Sequence, residues 1–458
     1  MSAGLTELRA AHMARAHELA PEFIARLGWD AATMATHRRT ALRSLVATAV
    51  ERSPWHRKRL HAVDPDALDP EDLRALPVMT KADLMAGFDD IVTDERLRLA
   101  EIEAHLAAGD GGYLFDEYTA MATGGSSGVR GLSVFDRDGL AAWWLSSFRR
   151  ILRDRDVDPQ LRGRSVTTAW VAAAHPSHVS ATLARTFDDP GFVNVRFPVT
   201  LPLAEIVAGL NQTDPHVLFA YPSALALLVA EAQAGRLRIT PVQVWCASEP
   251  LLPEIRRAAE ATFGRAVHNC WGATEIGGLA TACRLGTMHL AQDLGIVEPV
   301  DELGRPVPAG ERSARILVTN LFNRVLPLIR YEISDELTVL PDPCPCGEST
   351  PCLGDVQGRA DDVFRYPGVV VHPLVFRSTL GRHPAIVEYQ VRQTADGATV
   401  DVCLSGPLDL VELAADLTRQ LHGLGLADPR VRVRPVDRVA RLPHTGKVQR
   451  FVPLAVTQ

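Results

Sequence analysis

Between residues 139 and 269, short β-rich runs alternate with longer segments of helical periodicity, and few architectures accept that order. Residues 166–171, 217–220, 243–247 and 266–269 read as strands, while 139–152, 203–210, 224–234 and 252–263 read as helices. Strands that alternate with helices at this spacing indicate a largely parallel α/β sheet covered by helices. The flanks have a different character. Residues 5 to about 63 carry apolar positions at helical spacing until Pro54 and Trp55 break the pattern. In the next segment, L-P-V-M-T-K-A-D-L, Thr80 is a good N-cap with Asp83 three residues on. Residues 295–339 read as β-rich hairpins, with E-P-V-D-E-L-G-R-P-V-P-A-G-E as strand, turn and strand. A boundary is expected near Gly358, after a proline and cysteine loop, dividing the chain into residues 1–358 and 359–458. The second part reads as a small α+β domain, with strands near 387–393 and 399–404, a helix over 409–421 and a final strand near Val431.

A chain of 458 residues with 47% hydrophobic content has enough apolar mass for a large core and more than one domain. Its net charge of −7 and pI near 6.1 give no basic field for a nucleic-acid backbone. The local cluster Arg149, Arg150, Arg153 and Arg155 reads as a solvated helix face. The N-terminal residues lack the basic flank and apolar core of a signal peptide, and no apolar run approaches the ~18 residues that span a bilayer. A cytoplasmic protein without a membrane partner is therefore expected. Four of the seven cysteines, Cys283, Cys344, Cys346 and Cys352, fall close together, which suits a metal site in a reducing compartment better than a disulfide framework. Cys246, Cys270 and Cys403 read as core or pocket-wall residues.

Residues 123–131, T-G-G-S-S-G-V-R-G, have the composition of a phosphate-holding loop. Gly124, Gly125 and Gly128 allow tight turns that bring backbone N–H groups against an anion, and Thr123, Ser126 and Ser127 add hydroxyl donors. No G-K-[ST] closes the run and no G-x-G-x-x-G is present, so it is neither a Walker A loop nor a dinucleotide fingerprint. Alone it is equally a surface turn. Five motifs follow it in order. Ser248, Glu249 and Pro250 sit after a strand, where a backbone turn can meet a flat heterocycle. N-C-W-G-A-T-E runs from Asn269 through Cys270, Trp271, Gly272 and Thr274 to Glu275. R-Y-E-I-S-D-E supplies Asp335, G-R-A-D-D supplies Arg359 and Asp361, and L-P-H-T-G-K-V-Q-R supplies Lys447.

In order, spacing and residue type these motifs resemble the adenylate-forming superfamily of acyl-CoA synthetases, peptide-synthetase adenylation domains and luciferases. The closer likeness is to phenylacetate-CoA ligases, which share the short loop without its usual lysine, the S-E-P turn, a C-x-C-G element and an L-P-V-x-T-K segment. It extends over roughly residues 40 to 451. The resemblance implies a large N-terminal adenylate-forming domain, with largely parallel sheets and a β-rich subdomain, and a small mobile C-terminal domain. It also implies an enzyme that joins an acid to the α-phosphate of ATP, expels pyrophosphate and passes the acyl group to a thiol such as coenzyme A. In that scheme the glycine–serine loop holds the β and γ phosphates, with Arg130 as its own cation. Glu275 holds Mg²⁺, Thr274 reaches the α-phosphate, Asp335 takes the ribose hydroxyls, and Arg359 assists at the ribose or phosphate. Asp361 marks a hinge, and Lys447 neutralises charge between carboxylate and α-phosphate. Trp271, where the family usually has tyrosine, packs beside the adenine or the acyl group. A homodimer is expected on the same ground.

Two readings remain for the second step: thioester formation with coenzyme A, or a specialised-metabolism variant. The variant forms an amide, loads a carrier protein, or activates nitrite to diazotise an arylamine. A non-catalytic nucleotide binder should have lost Lys447 or Glu275, and both are present. The acyl pocket is expected among Trp170, Ala172, Ala173, His175, His178, Tyr221 and Trp271. Small alanines beside aromatics suit a flat, compact aryl or arylacetic acid. Cys283 and His289 form C-x5-H, and together with Cys344 and Cys346 of C-P-C-G they can supply a closed Cys₃His shell for structural Zn²⁺. Cys352 is the competing ligand.

Overall fold

A computed structural model of the chain describes residues 3–108, 112–122, 131–172, 179–356, 358–359, 362–371, 373–380, 383, 385–442 and 448–454. The N-terminal helical pattern resolves into the helices Ala3–Ala25, Ala31–Arg52 and Pro54–Arg59. Pro54 was expected to end a helix and instead opens one. Ser53 accepts from His56 N as the N-cap, and proline at the first helical position loses no intrahelical bond. At Thr80 the capping box forms in full and starts the helix Lys81–Ala86.

Strands β1 (Thr119–Ala122) and β2 (Leu132–Phe135) form an antiparallel hairpin whose ends, Ala122 and Leu132, carry the two stems of the glycine–serine loop. The long helix Arg137–Val157 follows, capped by Asp136. Next come β3 (Val166–Ala172), β4 (Phe192–Pro198), β5 (Val217–Ala220), β6 (Gln243–Ala247), β7 (Val267–Ala273), β8 (Gly277–Ala282) and β9 (Met288–Leu290). Three-stranded β10 (Gly295–Val300), β11 (Arg315–Asn320) and β12 (Tyr331–Ile333) make the β-rich part. Of the short strands that follow, β13 (Asp335–Glu336) and β15 (Gly358–Arg359) pair with each other, and β14 (Cys352–Leu353) joins β9.

The main sheet has the order β14-β9-β8-β7-β6-β5-β3-β4. Its pairs are parallel from β4 to β7 and antiparallel from β7 to β14, so the expected parallel sheet carries an antiparallel extension. Helices between the strands cover the parallel part, where Leu218, Val244 and Val267 are fully buried.

After β16 (Phe364–Tyr366) and β17 (Val369–Val371), strands β18 (Ile386–Thr394), β19 (Gly397–Leu404), β20 (Arg430–Pro435) and β21 (Phe451–Val452) build a separate sheet ordered β20-β19-β18-β21. The strand expected to be last, near Val431, is β20. A further strand, β21, returns to lie parallel to β18 beyond the segment that contains Lys447.

One expectation fails outright. Arg149 and Arg150 are buried at 3% exposure each, where a solvated face was predicted. Arg149 makes a two-pronged bond to Asp293 (2.7 and 2.9 Å), and Arg150 grips Glu348 and Thr281. The helix Arg137–Val157 packs against β8 and beneath the helix Ala3–Ala25, so its charges enter the interior and do so with partners. Arg153 and Arg155 keep partial exposure. Among the described residues no helix is long and apolar enough to cross a membrane.

Candidate active site

A cavity of about 530 Å³ opens at the carboxyl ends of β5, β6 and β7, the place where open α/β sheets bind ligands. Each strand delivers a motif there. Tyr221 follows β5, the Ser248–Glu249–Pro250 turn follows β6, and β7 runs into Trp271 to Glu275. Ser248 adopts φ +74°, a left-handed conformation that a non-glycine residue holds only against strain, and it lines the cavity.

At the end of β7 the pairing with β8 slips by a bulge between Trp271 and Gly272. A Cβ on Gly272 would lie 2.0 Å from the Gly277 carbonyl oxygen, so only glycine permits this bend. The bend turns Trp271 inward, where it is 5% exposed, and its Nε1 donates to Asp335 Oδ2 at 2.8 Å. Asp335 pairs in register with Arg359 across β13 and β15. The Thr274 carbonyl accepts from Trp143 Nε1 at 3.0 Å, which fixes the backbone just before Glu275.

Glu275 is 4% exposed, with Lys81 Nζ 3.8 Å and the Tyr331 hydroxyl 3.5 Å from its Oε1. Burial, and then the neighbouring Glu275 carboxylate, push the Tyr331 phenol well above its usual range, so it stays a neutral donor. Gly131, the last residue of the glycine–serine run, backs onto the same corner: a Cβ there would come within 2.8 Å of Lys81 Cε and 2.9 Å of Glu275 Oε1. The loop therefore exits beside the carboxylate. Lys81 carried no role in the sequence reading, although the L-P-V-M-T-K segment containing it was noticed.

Asn269 lines the cavity and also donates to Asp355 Oδ1 (3.0 Å), which is clamped by Arg256. Burial pushes the Cys270 thiol up to about 12, so this residue is a neutral wall. Thr123, Gly124, Gly125, Ser126, Ser127, Gly128, Arg130, Ala173, His175, His178, Asp361 and Lys447 lie outside the described residues, as does the Arg359 side chain. Ala172, which precedes residues 173–178, and Leu442 and Val448, which bracket residues 443–447, all line the cavity.

Away from Glu275 the cavity is walled by rings. Trp170 lies 4.3 Å from Phe219 and 5.8 Å from Phe148 between centroids, and Trp144 stacks on Phe187 at 4.9 Å. Trp170 Nε1 donates to Asn194 Oδ1 at 2.9 Å. An indole N–H only donates, so the Asn194 oxygen faces it, and Asn194 itself lines the cavity. Sequence reading named Trp170 and missed Asn194 and the phenylalanines, which come from one helix, two strands and a loop.

On the far side of the sheet, Cys283, His289, Cys344 and Cys346 place one donor atom each within 4.8 Å of one another. Cys283 and Cys344 sulfurs are 3.8 Å apart, the edge of a tetrahedron with metal–sulfur bonds of about 2.3 Å. Cys346 Sγ is 3.3 Å from His289 Nε2, while His289 Nδ1 faces the Thr350 carbonyl at 3.3 Å, as a ligating imidazole requires. These donors fit Zn²⁺. Cys352 Sγ is 3.9 Å from both nitrogens of that ring and outside the four-donor group.

The chain is similar to several known proteins. Residues 190–318 match the family model described as AMP-binding enzyme. The chain is 30% identical over 171 residues to a phenylacetate-coenzyme A ligase of Thermus thermophilus, and 26% identical over 188 residues to one of Pseudomonas putida. These matches take in 35% and 39% of this chain and 38% and 39% of the relatives, so the chain spans well under half the length of the curated relatives it matches. In fold it is similar to 2-hydroxyisobutyryl-CoA ligase in the postadenylation state in complex with 2-HIB-AMP. That likeness has a TM-score of 0.69 at 19% identity, covering 93% of this chain and 90% of that one.

Proposed function

We propose that the chain is a member of the adenylate-forming superfamily, in its phenylacetate-CoA ligase-like branch, and that it is an ATP-dependent ligase. It activates a small aromatic carboxylic acid as an acyl adenylate and then forms a thioester with coenzyme A. The observation that carries the reading is the cavity, where a nucleoside-sized polar end (Trp271, Asp335, Glu275) continues into a ring-lined compartment (Trp170, Phe219, Phe148).

In the first step a carboxylate oxygen attacks the α-phosphorus of ATP. The bond to the bridging oxygen breaks, and pyrophosphate leaves with the electron pair. The chain's part is positioning and charge neutralisation. Asp335, aligned by the Trp271 indole, accepts from the ribose hydroxyls. The adenine meets the strained backbone at Ser248 to Pro250, with Asn269 to Gly272 as its wall. Lys81 and Tyr331 flank Glu275 at the phosphate end, and the hydroxyls of residues 123–127 hold the departing phosphates. Glu275 would hold Mg²⁺, which when bound neutralises phosphate charge. Lys447, on a segment whose described flanks Leu442 and Val448 line the cavity, neutralises charge between the two reactants. In the second step the thiolate sulfur attacks the acyl carbon and AMP departs. Residues 1–358 then act as the adenylating unit and 359–458 as its lid.

Asn194 at the ring-lined end suits an arene with a polar substituent, and the cysteine–histidine cluster suits one structural zinc. Pyrophosphate release measured with ATP and a panel of substituted benzoic, arylacetic and fatty acids tests this reading. Release with aromatic acids supports it; release confined to long-chain acids contradicts the substrate class.

A further inference from the structure

We infer that Glu249 is a positioning residue that latches the C-terminal segment onto the cavity, an inference that rests on the adenylation reading only for its kinetic consequence. The carboxylate sits in the S-E-P turn after β6, and both of its oxygens accept from backbone N–H groups. Oε2 accepts from Ser223 N (3.0 Å), at the start of the helix Pro222–Gln233, and Oε1 accepts from Val448 N (2.8 Å). One side chain thus joins the carboxyl ends of β5 and β6 to the residue immediately after Lys447. An ionised carboxylate receiving two backbone N–H groups is among the stronger polar contacts a protein makes.

The neighbouring contacts make the latch part of a seam. Arg441, from the same C-terminal stretch, donates from Nη1 to Ser223 Oγ (3.1 Å) and from Nη2 to the fully buried Glu388 (3.0 Å). Ser223 is therefore held through its N–H by Glu249 and through its hydroxyl by Arg441. Arg438 reaches the carbonyls of Val199 and Leu201 just beyond β4. Among the described residues, Arg438, Arg441 and Val448 are fastened to the segments that follow β4, β5 and β6, and Glu249 holds the residue next to Lys447 in sequence. The glutamate of the S-E-P turn consequently sets where the lysine can be presented.

Glutamine in place of Glu249 keeps the shape but has one acceptor oxygen, so its N–H₂ must oppose one of the two backbone N–H groups. The first test is ligand-free hydrogen exchange at the Val448 amide in full-length protein. Glu249→Gln should accelerate exchange there at least about tenfold, the lower range for losing a hydrogen bond to a charged group. Identical exchange in the two proteins would overturn the latch. The second test uses an acid that supports pyrophosphate release by the parent protein. Glu249→Gln should lower kcat for that release about 10- to 100-fold with KM for ATP within about twofold. A rise in KM alone would mean that Glu249 touches the nucleotide, against the inference. Val448→Pro removes the donor from the other side, and its kinetic effect should not add to that of Glu249→Gln; full additivity would also overturn it. If the parent protein releases no pyrophosphate with any acid, the adenylation reading fails, while the exchange measurement still decides the latch.

Discussion

The Trp271 indole does two jobs at the same position: its face closes the cavity wall and its N–H holds Asp335 at 2.8 Å. Trp271→Phe keeps the ring and removes the donor, so Asp335 loses its orientation while the cavity keeps its shape. Steady-state kinetics should show KM for ATP raised about tenfold with kcat changed less, the scale of one hydrogen bond to a charged acceptor. An unchanged KM would detach Asp335 from nucleotide binding. Trp271, Asp335 and Glu275 were legible in the sequence because each sits in a motif whose order and residue types are specific. Lys81 was not, because its meaning is a contact with Glu275, far along the chain, that no local pattern encodes. Arg149 was misread for the same reason. A helix shows its charges but not what covers them, and only the position of Asp293 shows that Arg149 is buried.

The hairpin of β8 and β9 and the short strand β14 are tied where Cys283, His289, Cys344 and Cys346 converge, next to β14 pairing with β9 at Cys352 and His289. A closed metal shell there would fasten these segments to one another. Purified protein should contain about one equivalent of zinc, and removing it with a strong chelator should lower the thermal midpoint and loosen residues 283–289 and 344–352 to proteolysis. Metal content near zero with an undiminished midpoint would contradict the assignment. At this scale the sequence reading did best in the parallel region, where 217–220 and 243–247 coincide with β5 and β6 because buried strands make unbroken apolar runs. It missed β4, a half-exposed edge strand interrupted by Asn194 and Arg196, and β21, whose two residues are strand only because β18 lies beside them.

Across the whole molecule, the large sheet supplies the cavity floor and the C-terminal sheet supplies part of its rim. The N-terminal helix is held to this assembly through Arg149, which also donates to the Phe23 carbonyl while it pairs with Asp293. Arg149→Met would take the two-pronged partner from the buried Asp293 carboxylate and leave it the longer Arg26 contact (3.6 Å), and denaturant unfolding should register a loss of about 3 kcal/mol. A loss below about 1 kcal/mol would show that this pair is not part of the frame. The change in pattern near Gly358 is the ground on which the sequence suggests two parts. What could not be read there is the seam between the parts, because Glu249, Ser223, Arg441 and Val448 are distant in sequence and meet only in the fold. The central claim is that the cavity adenylates a carboxylic acid with Lys447 as the neutralising cation. Its most direct measurement is acid-dependent exchange of labelled pyrophosphate into ATP by the parent protein and Lys447→Ala. Exchange that requires an aromatic acid and falls by at least about 100-fold in the variant is the predicted result; no exchange with any acid, or full exchange without Lys447, would contradict it.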